Sequence, residues 1–208
     1  MARITKVLIA NRGEIAVRVI RAAGIEPVVV HSNVDEDAAV AAAGPLIPEE
    51  MVLLLARLKA EAVLGADVDG LVLGGDSAFE LDGAVYGKPH TASVARERWA
   101  LQRGREGQLH SGHWLIDHRG GSVRGAAGEV SSALVQFADV TDAEIEAYIA
   151  TGEPLEVAGA FTIDSLGAAF IDGVRGDPHA VVGVSVATVR RLVRGFGIEW
   201  PGLWNRVL

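Results

Sequence analysis

Leu71-Val-Leu-Gly-Gly-Asp76-Ser-Ala-Phe-Glu-Leu-Asp82-Gly-Ala-Val-Tyr-Gly-Lys88-Pro89 is the stretch whose reading decides the fold. Its apolar opening, Leu71 to Leu73, has the length and composition of a buried strand. That run ends in two glycines and a carboxylate, Asp76. Asp82-Gly83 marks a turn, and Lys88 follows a glycine and is braced by Pro89. An acid at the mouth of a strand and a lysine on a rigid turn suit metal-assisted phosphate chemistry. The acid can hold a divalent ion or a water, and the lysine can neutralise phosphate oxygens. The same residues equally describe an ordinary strand, a turn and a solvated lysine, and spacing alone does not separate the two.

Outward from this stretch, strand and helix patterns alternate, as in an α/β protein. Lys6 to Ala10 reads as a first buried strand, Asn11-Arg12-Gly13 as a turn, and Glu14 to Ala23 as a helix stopped by Gly24. Pro27 to His31 reads as a second strand, followed by an acidic loop, Ser32 to Asp37. Pro48 to Ala66 is a long helix with Leu54, Leu55, Leu58 and Ala62 along one face. After the opening stretch come a helix, Thr91 to Leu101, and two strands, His110 to Asp117 and Ala133 to Phe137. Thr141 and Glu144 form a capping box for a helix from Asp142 to Ala150. Gly159 to Phe170 reads as a Gly/Ala-rich segment with a strand at either end, and Val181 to Val184 as a short strand. Ser185 caps a last helix, Val186 to Arg194, and the tail from Trp200 to Trp204 is expected on the surface.

Bulk properties narrow the function. The chain has 208 residues, half of them hydrophobic, enough for a sizeable core. Aromatics are only 5%, so a Val/Leu/Ile/Ala core is expected. A net charge of −8 with no basic tract excludes a general binder of nucleic-acid polymers. There is no cysteine, hence no disulfide, thiolate nucleophile or cysteine-ligated zinc. No apolar segment approaches the ~20 residues of a membrane span. These features together predict a cytoplasmic protein. His110 and His113 would point to opposite faces of a strand, no H-E-x-x-H pattern exists, and Ser111 and Ser185 have no companion order that suggests a triad.

Several motifs, in order, resemble the Maf family, the septum-formation-type nucleoside triphosphate pyrophosphatases. They are Val34-Asp35-Glu36, Leu55-Ala56-Arg57-Leu58-Lys59-Ala60, Val72-Leu73-Gly74-Gly75-Asp76, Leu81-Asp82-Gly83, Gly87-Lys88-Pro89 and His110-Ser111-Gly112. Ile145 to Glu153, Ala158 to Phe161 and Gly176-Asp177 continue the order, so the resemblance covers residues 24–208. It implies a single Maf-like domain over residues 1–208, an elongated mixed-sheet fold of the Maf/ITPase-like type, and a cleft between two lobes. It also implies hydrolysis of dTTP, UTP or modified nucleotides to the monophosphate and pyrophosphate, with Mg²⁺ or Mn²⁺, by a homodimer. Position by position, Asp76 and Glu36 match the acids near the metal, Asp76 also the acid credited with activating water. Lys59 and Lys88 match the lysines that face the phosphates.

The N-terminus departs from that pattern. Where the family has a serine-rich S-x-S-x-R-R phosphate loop, this chain reads Ala10-Asn11-Arg12-Gly13-Glu14-Ile15-Ala16. Residues 6–23 instead resemble the opening strand, turn and helix of biotin carboxylases, with no ATP-grasp machinery after them. Arg12 is the residue left to contact substrate there, while Glu14 would repel an anion. Asp164-Ser165 stands where many members have Gln-Gly, Ala133 where a threonine is usual, and Ala180 where asparagine is common. Two expectations follow: a metal-dependent pyrophosphatase, or a Maf-like protein with impaired or no catalysis because its phosphate loop is replaced.

Overall fold

The computed structural model describes residues 7–10, 14–65 and 67–205. Arg12 lies outside them. Seven strands form a mixed α/β sheet: β1 (Val7–Ala10), β2 (Val28–Val29), β3 (Leu71–Leu81), β4 (Ala84–Tyr86), β5 (Glu106–Asp117), β6 (Gly125–Phe137) and β7 (Ile171–Gly176). Their order is β2-β1-β3-β5-β6-β7, with β4 paired to β3. β1 runs parallel to β2 and β3, whereas β3–β4 and β6–β7 are antiparallel. The helices are α1 (Glu14–Ala22), α2 (Glu36–Ala43), α3 (Pro48–Ala62), α4 (Ala92–Gln102), α5 (Asp142–Ala150), α6 (Pro178–Val182) and α7 (Val186–Gly195). Among the described residues no helix is long and apolar enough to cross a membrane.

The chain folds as two compact units. The first gathers the described residues of Met1–Asp76, Ser111–Ser131 and Gly183–Leu208. Here β1 and β3 are apolar on both faces, as parallel strands covered by helices must be. Val7, Ile9, Leu71 and Leu73 join one core with Ile20, Val189 and Leu192, whereas Leu8 and Val72 join another with Ala60. The tail expected on the surface packs into the first of these cores: Trp200 and Leu203, in a 3₁₀ turn, are buried, whereas Pro201, Gly202 and Trp204 are exposed. β2 is shorter than expected and its valines are exposed, because it pairs only with β1 at the sheet edge.

The second unit gathers Ser77–His110 and Ser132–Val182. The few aromatics concentrate in its core, so the expectation of an aliphatic interior fails there. Phe79, Trp99, Phe137, Tyr148 and Phe161 are all buried. Phe137 meets Phe161 edge-on at 5.0 Å between centroids and Trp99 at 5.7 Å, geometries favoured by ring quadrupoles.

Candidate functional site

β3 does not end where its sequence suggests. It continues through Gly74 and Gly75 to Leu81, so Asp76 sits within an eleven-residue strand rather than at its mouth. Gly74 serves packing. A Cβ on Gly74 would lie 2.0 Å from the Ala56 carbonyl oxygen and 2.9 Å from the Ala60 Cβ, so its absence lets α3 lie directly on the strand. The buried face of α3 is then Val52, Leu55, Ala56, Lys59 and Ala60, the spacing of a helical stripe. A lysine occupies one place in that stripe.

A buried ammonium requires partners, and Lys59 has two. Its Nζ lies 2.5 Å from Asp76 Oδ1 and 2.9 Å from Glu36 Oε1. Glu36 does not stand in a loop, as the three consecutive acids suggested. Asp35 accepts from the Ala38 N–H at 3.0 Å as the N-cap of α2, which makes Glu36 the first helical residue. A carboxylate at a helix N-terminus and an ammonium in the last turn of α3 both suit the helix dipoles. Burial pulls the Lys59 pKa down, but the Asp76 charge and hydrogen bond, then those of Glu36, outweigh it, so the net shift is upward. Lys59 is therefore a fixed cation at neutral pH and cannot serve as a base.

The structure thus brings together three of the residues singled out from the sequence, Glu36, Lys59 and Asp76, all in the first unit. Lys88 belongs to the second unit, exposed on the turn after β4 and followed by buried Pro89. The turn before β4 is the one expected at Asp82-Gly83: it joins β3 to β4 in a hairpin, and both residues have positive φ, 53° and 78°.

The fit of a divalent metal rests on the donor set. Two carboxylates on one ammonium leave a surplus negative charge, and carboxylate oxygens suit Mg²⁺ or Mn²⁺. Among the described residues no group of three or more His, Asp or Glu side chains could hold a metal ion. Glu36 and Asp76 fit an ion whose remaining ligands are water and phosphate oxygens, the usual style of Mg²⁺ sites.

Two polar clusters in the second unit escaped the sequence reading. Glu153 accepts from Tyr148 Oη, Thr162 Oγ1, Ser165 Oγ and the N–H groups of Leu166 and Gly167, at 2.5–3.3 Å. It organises a segment expected to carry a strand at either end but folded there as 3₁₀ turns. Ser165, one of the departures from the family pattern, is among its donors. Buried His110 bonds Ser132 Oγ through Nδ1 at 2.8 Å and Glu80 through Nε2 at 3.0 Å. His113 accepts from the Ser185 N–H at 2.8 Å and so helps to cap α7. The only signal for these roles was a polar residue recurring at a buried strand or turn position.

The Glu153 cluster carries a pH prediction. Burial raises its pKa, but the hydrogen bonds from Thr162, Ser165, Gly167 and Tyr148 prevail and bring it from 4.5 down to about 2. A depressed carboxyl contributes stability that is complete above its ordinary value and lost as pH falls through its folded value. Unfolding midpoints are therefore expected to fall between pH 4.5 and 2, with about 2 kcal/mol of the loss due to Glu153 after allowance for its part exposure. Glu153→Gln should be less stable at pH 7 and flatter over that window. Parallel stability–pH curves for the two proteins would contradict this.

A family model described as "Maf-like protein" matches residues 15–196. Over 209 aligned residues the chain is 64% identical to a protein of Leifsonia xyli subsp. xyli named nucleoside triphosphate pyrophosphatase, covering 97% of each chain. Proteins of the same name from Rhodococcus opacus and Corynebacterium diphtheriae are 46% and 43% identical, with 96% of this chain covered in each case. Among solved structures, the Staphylococcus aureus Ham1 protein superposes with a TM-score of 0.45 at 14% identity, covering 90% of both chains. With the family match spanning both units, and including Glu36, Lys59, Asp76 and Lys88, the chain belongs to the Maf-like protein family.

Proposed function

We propose that this protein is a nucleoside triphosphate pyrophosphatase, hydrolysing a pyrimidine or modified nucleoside triphosphate to the monophosphate and pyrophosphate. One observation carries the reading: a permanently charged lysine, buried between two carboxylates, in a family whose relatives bear that name. Lys59 donates to phosphate oxygens, and Lys88 is a further phosphate contact. Asp76 accepts a proton from water as the water oxygen bonds to phosphorus and the bridging P–O bond of the α/β anhydride breaks. Negative charge then spreads over oxygens, where fixed cations lower the barrier most. Glu36 and Asp76 would hold Mg²⁺ or Mn²⁺, which when bound supplies neutralisation of phosphate charge. Arg12 is proposed as a substrate contact.

A second reading, impaired catalysis, is favoured by the family match beginning at residue 15, after the first four positions of the substituted loop. One experiment addresses both: pyrophosphate release across canonical and modified triphosphates with Mg²⁺, Mn²⁺ or chelator. A parallel arm uses a variant carrying S-x-S-x-R-R at residues 11–16. Metal-dependent release by the native chain is the expected result. A large gain on restoring the loop would favour impairment, and no release by either protein would overturn the pyrophosphatase reading.

A further inference from the structure

Lys88 can contact a phosphate reproducibly only if its exposed turn is fixed, and the structure shows what fixes it. Arg98, on α4, donates from Nη1 to the carbonyl oxygen of Gly87, the residue before Lys88. Its guanidinium also lies over the Tyr86 ring, 5.5 Å from the centroid. Tyr86 is seated in turn: it is the β-ladder partner of buried Phe79, and their ring centroids are 6.5 Å apart. On the other side of Lys88, the Thr91 N–H donates to the Pro89 carbonyl at 2.7 Å and the His90 N–H to the Leu155 carbonyl at 3.0 Å. His90 has φ 59°, a conformation a non-glycine residue keeps only when its surroundings enforce it. The C-terminal side of Lys88 is thus held by backbone bonds. Its N-terminal side has a side-chain hold, and that side chain is Arg98.

Arg98 is partly withdrawn from water, and this desolvation draws its pKa down, against the smaller opposing effect of Tyr86. Planar stacking on a ring with a simultaneous directed hydrogen bond is a task for a guanidinium rather than an ammonium. An ordinary surface arginine would reach a carboxylate, as Arg96 does on the same helix with Glu146.

We propose that Arg98 is a positioning residue for Lys88, holding the Gly87 peptide and Tyr86 so that the lysine backbone is set before substrate arrives. This rests on the pyrophosphatase reading, and a misplacement of ~1 Å at a charge contact can lower rate ~10²-fold. The test is a double-mutant cycle of Lys88→Ala and Arg98→Ala, with kcat and KM for pyrophosphate release and a thermal melt for each protein.

Arg98→Ala alone should lower kcat by about 10- to 100-fold, because a phosphate cation acts most strongly in the transition state. In the Lys88→Ala background it should change kcat by no more than about twofold, since its effect passes through the lysine. Arg98→Lys, which keeps a cationic donor group, should recover part of the loss. A full Arg98→Ala effect in the Lys88→Ala background would mean a general structural role and overturn the proposal. An Arg98→Ala enzyme with native kcat would overturn it too, as would a Lys88→Ala enzyme with native kcat. In those cases native turnover leaves the pyrophosphatase reading standing, whereas absence of turnover in the native chain would remove both.

Discussion

Asp76→Asn is expected to abolish pyrophosphate release, lowering turnover by ~10²–10⁴-fold, with the chain still folded. Asparagine keeps the size and branching of the side chain, so the packing of β3 survives. It lacks the negative charge needed to accept a proton from water or to complete an oxygen donor set. Lys59 would retain Glu36 at 2.9 Å as its remaining ionic partner. That partner limits the loss of stability to about 1–3 kcal/mol, below what an unpaired buried ammonium would bring. Circular dichroism and a melting curve should show a native-like fold with a lowered midpoint, while the pyrophosphate assay reads background. A variant that melts lower yet turns over at the native rate would show Asp76 to be only a partner for Lys59.

Local chemistry was legible in the sequence wherever a residue acts on its immediate neighbours. Thr141 and Glu144 form the expected capping box of α5, Ser185 caps α7, and Asp82-Gly83 makes the expected turn. What stayed hidden was set across the chain. The two glycines after Leu73 read as a strand stop, yet β3 runs on through them to Leu81, and Gly74 serves helix packing and not a turn. The acidic run at Asp35 reads as loop because its cap works on a helix, Glu36–Ala43, whose alanines show no amphipathic stripe. Val181 to Val184 was expected to be strand; α6 begins at Pro178 instead, where Asp177 accepts from the His179 N–H at 2.9 Å. The segment Gly159 to Phe170 needs no strand partner because Glu153 takes two of its backbone N–H groups. The site was half visible. Motif order selects Lys59, Glu36 and Asp76, but the physical sign that sets Lys59 apart from a solvated lysine, its place on the buried stripe of α3, appears only once the helix phase is known. From sequence the apolar face is Leu54, Leu55, Leu58 and Ala62, which leaves Lys59 looking solvated, whereas the buried face is Val52, Leu55, Ala56, Lys59 and Ala60.

That phase depends on one missing methyl group, which gives the second large expected effect. Gly74→Ala should destabilise the first unit by on the order of 3 kcal/mol or more and remove most activity even where the protein still folds. The added Cβ would meet the Ala56 carbonyl oxygen at 2.0 Å and the Ala60 backbone nitrogen at 2.9 Å. These are backbone atoms on consecutive turns of α3, so no rotamer change relieves the clash and the helix itself must move. Gly74 and Asp76 are two apart on β3, and Ala56, Lys59 and Ala60 share one face of α3, so a displaced helix also withdraws Lys59 from Asp76. Neither the lysine nor the acid is altered in this variant, yet their 2.5 Å contact would open. Ala56→Gly is no remedy, because the obstructing atom there is the carbonyl oxygen and not the methyl group. Chemical denaturation and pyrophosphate release measured on the same preparation would test the coupling. A Gly74→Ala protein with native stability and native turnover would show that α3 has room to yield, and that the close approach of helix to strand is not what sets the site.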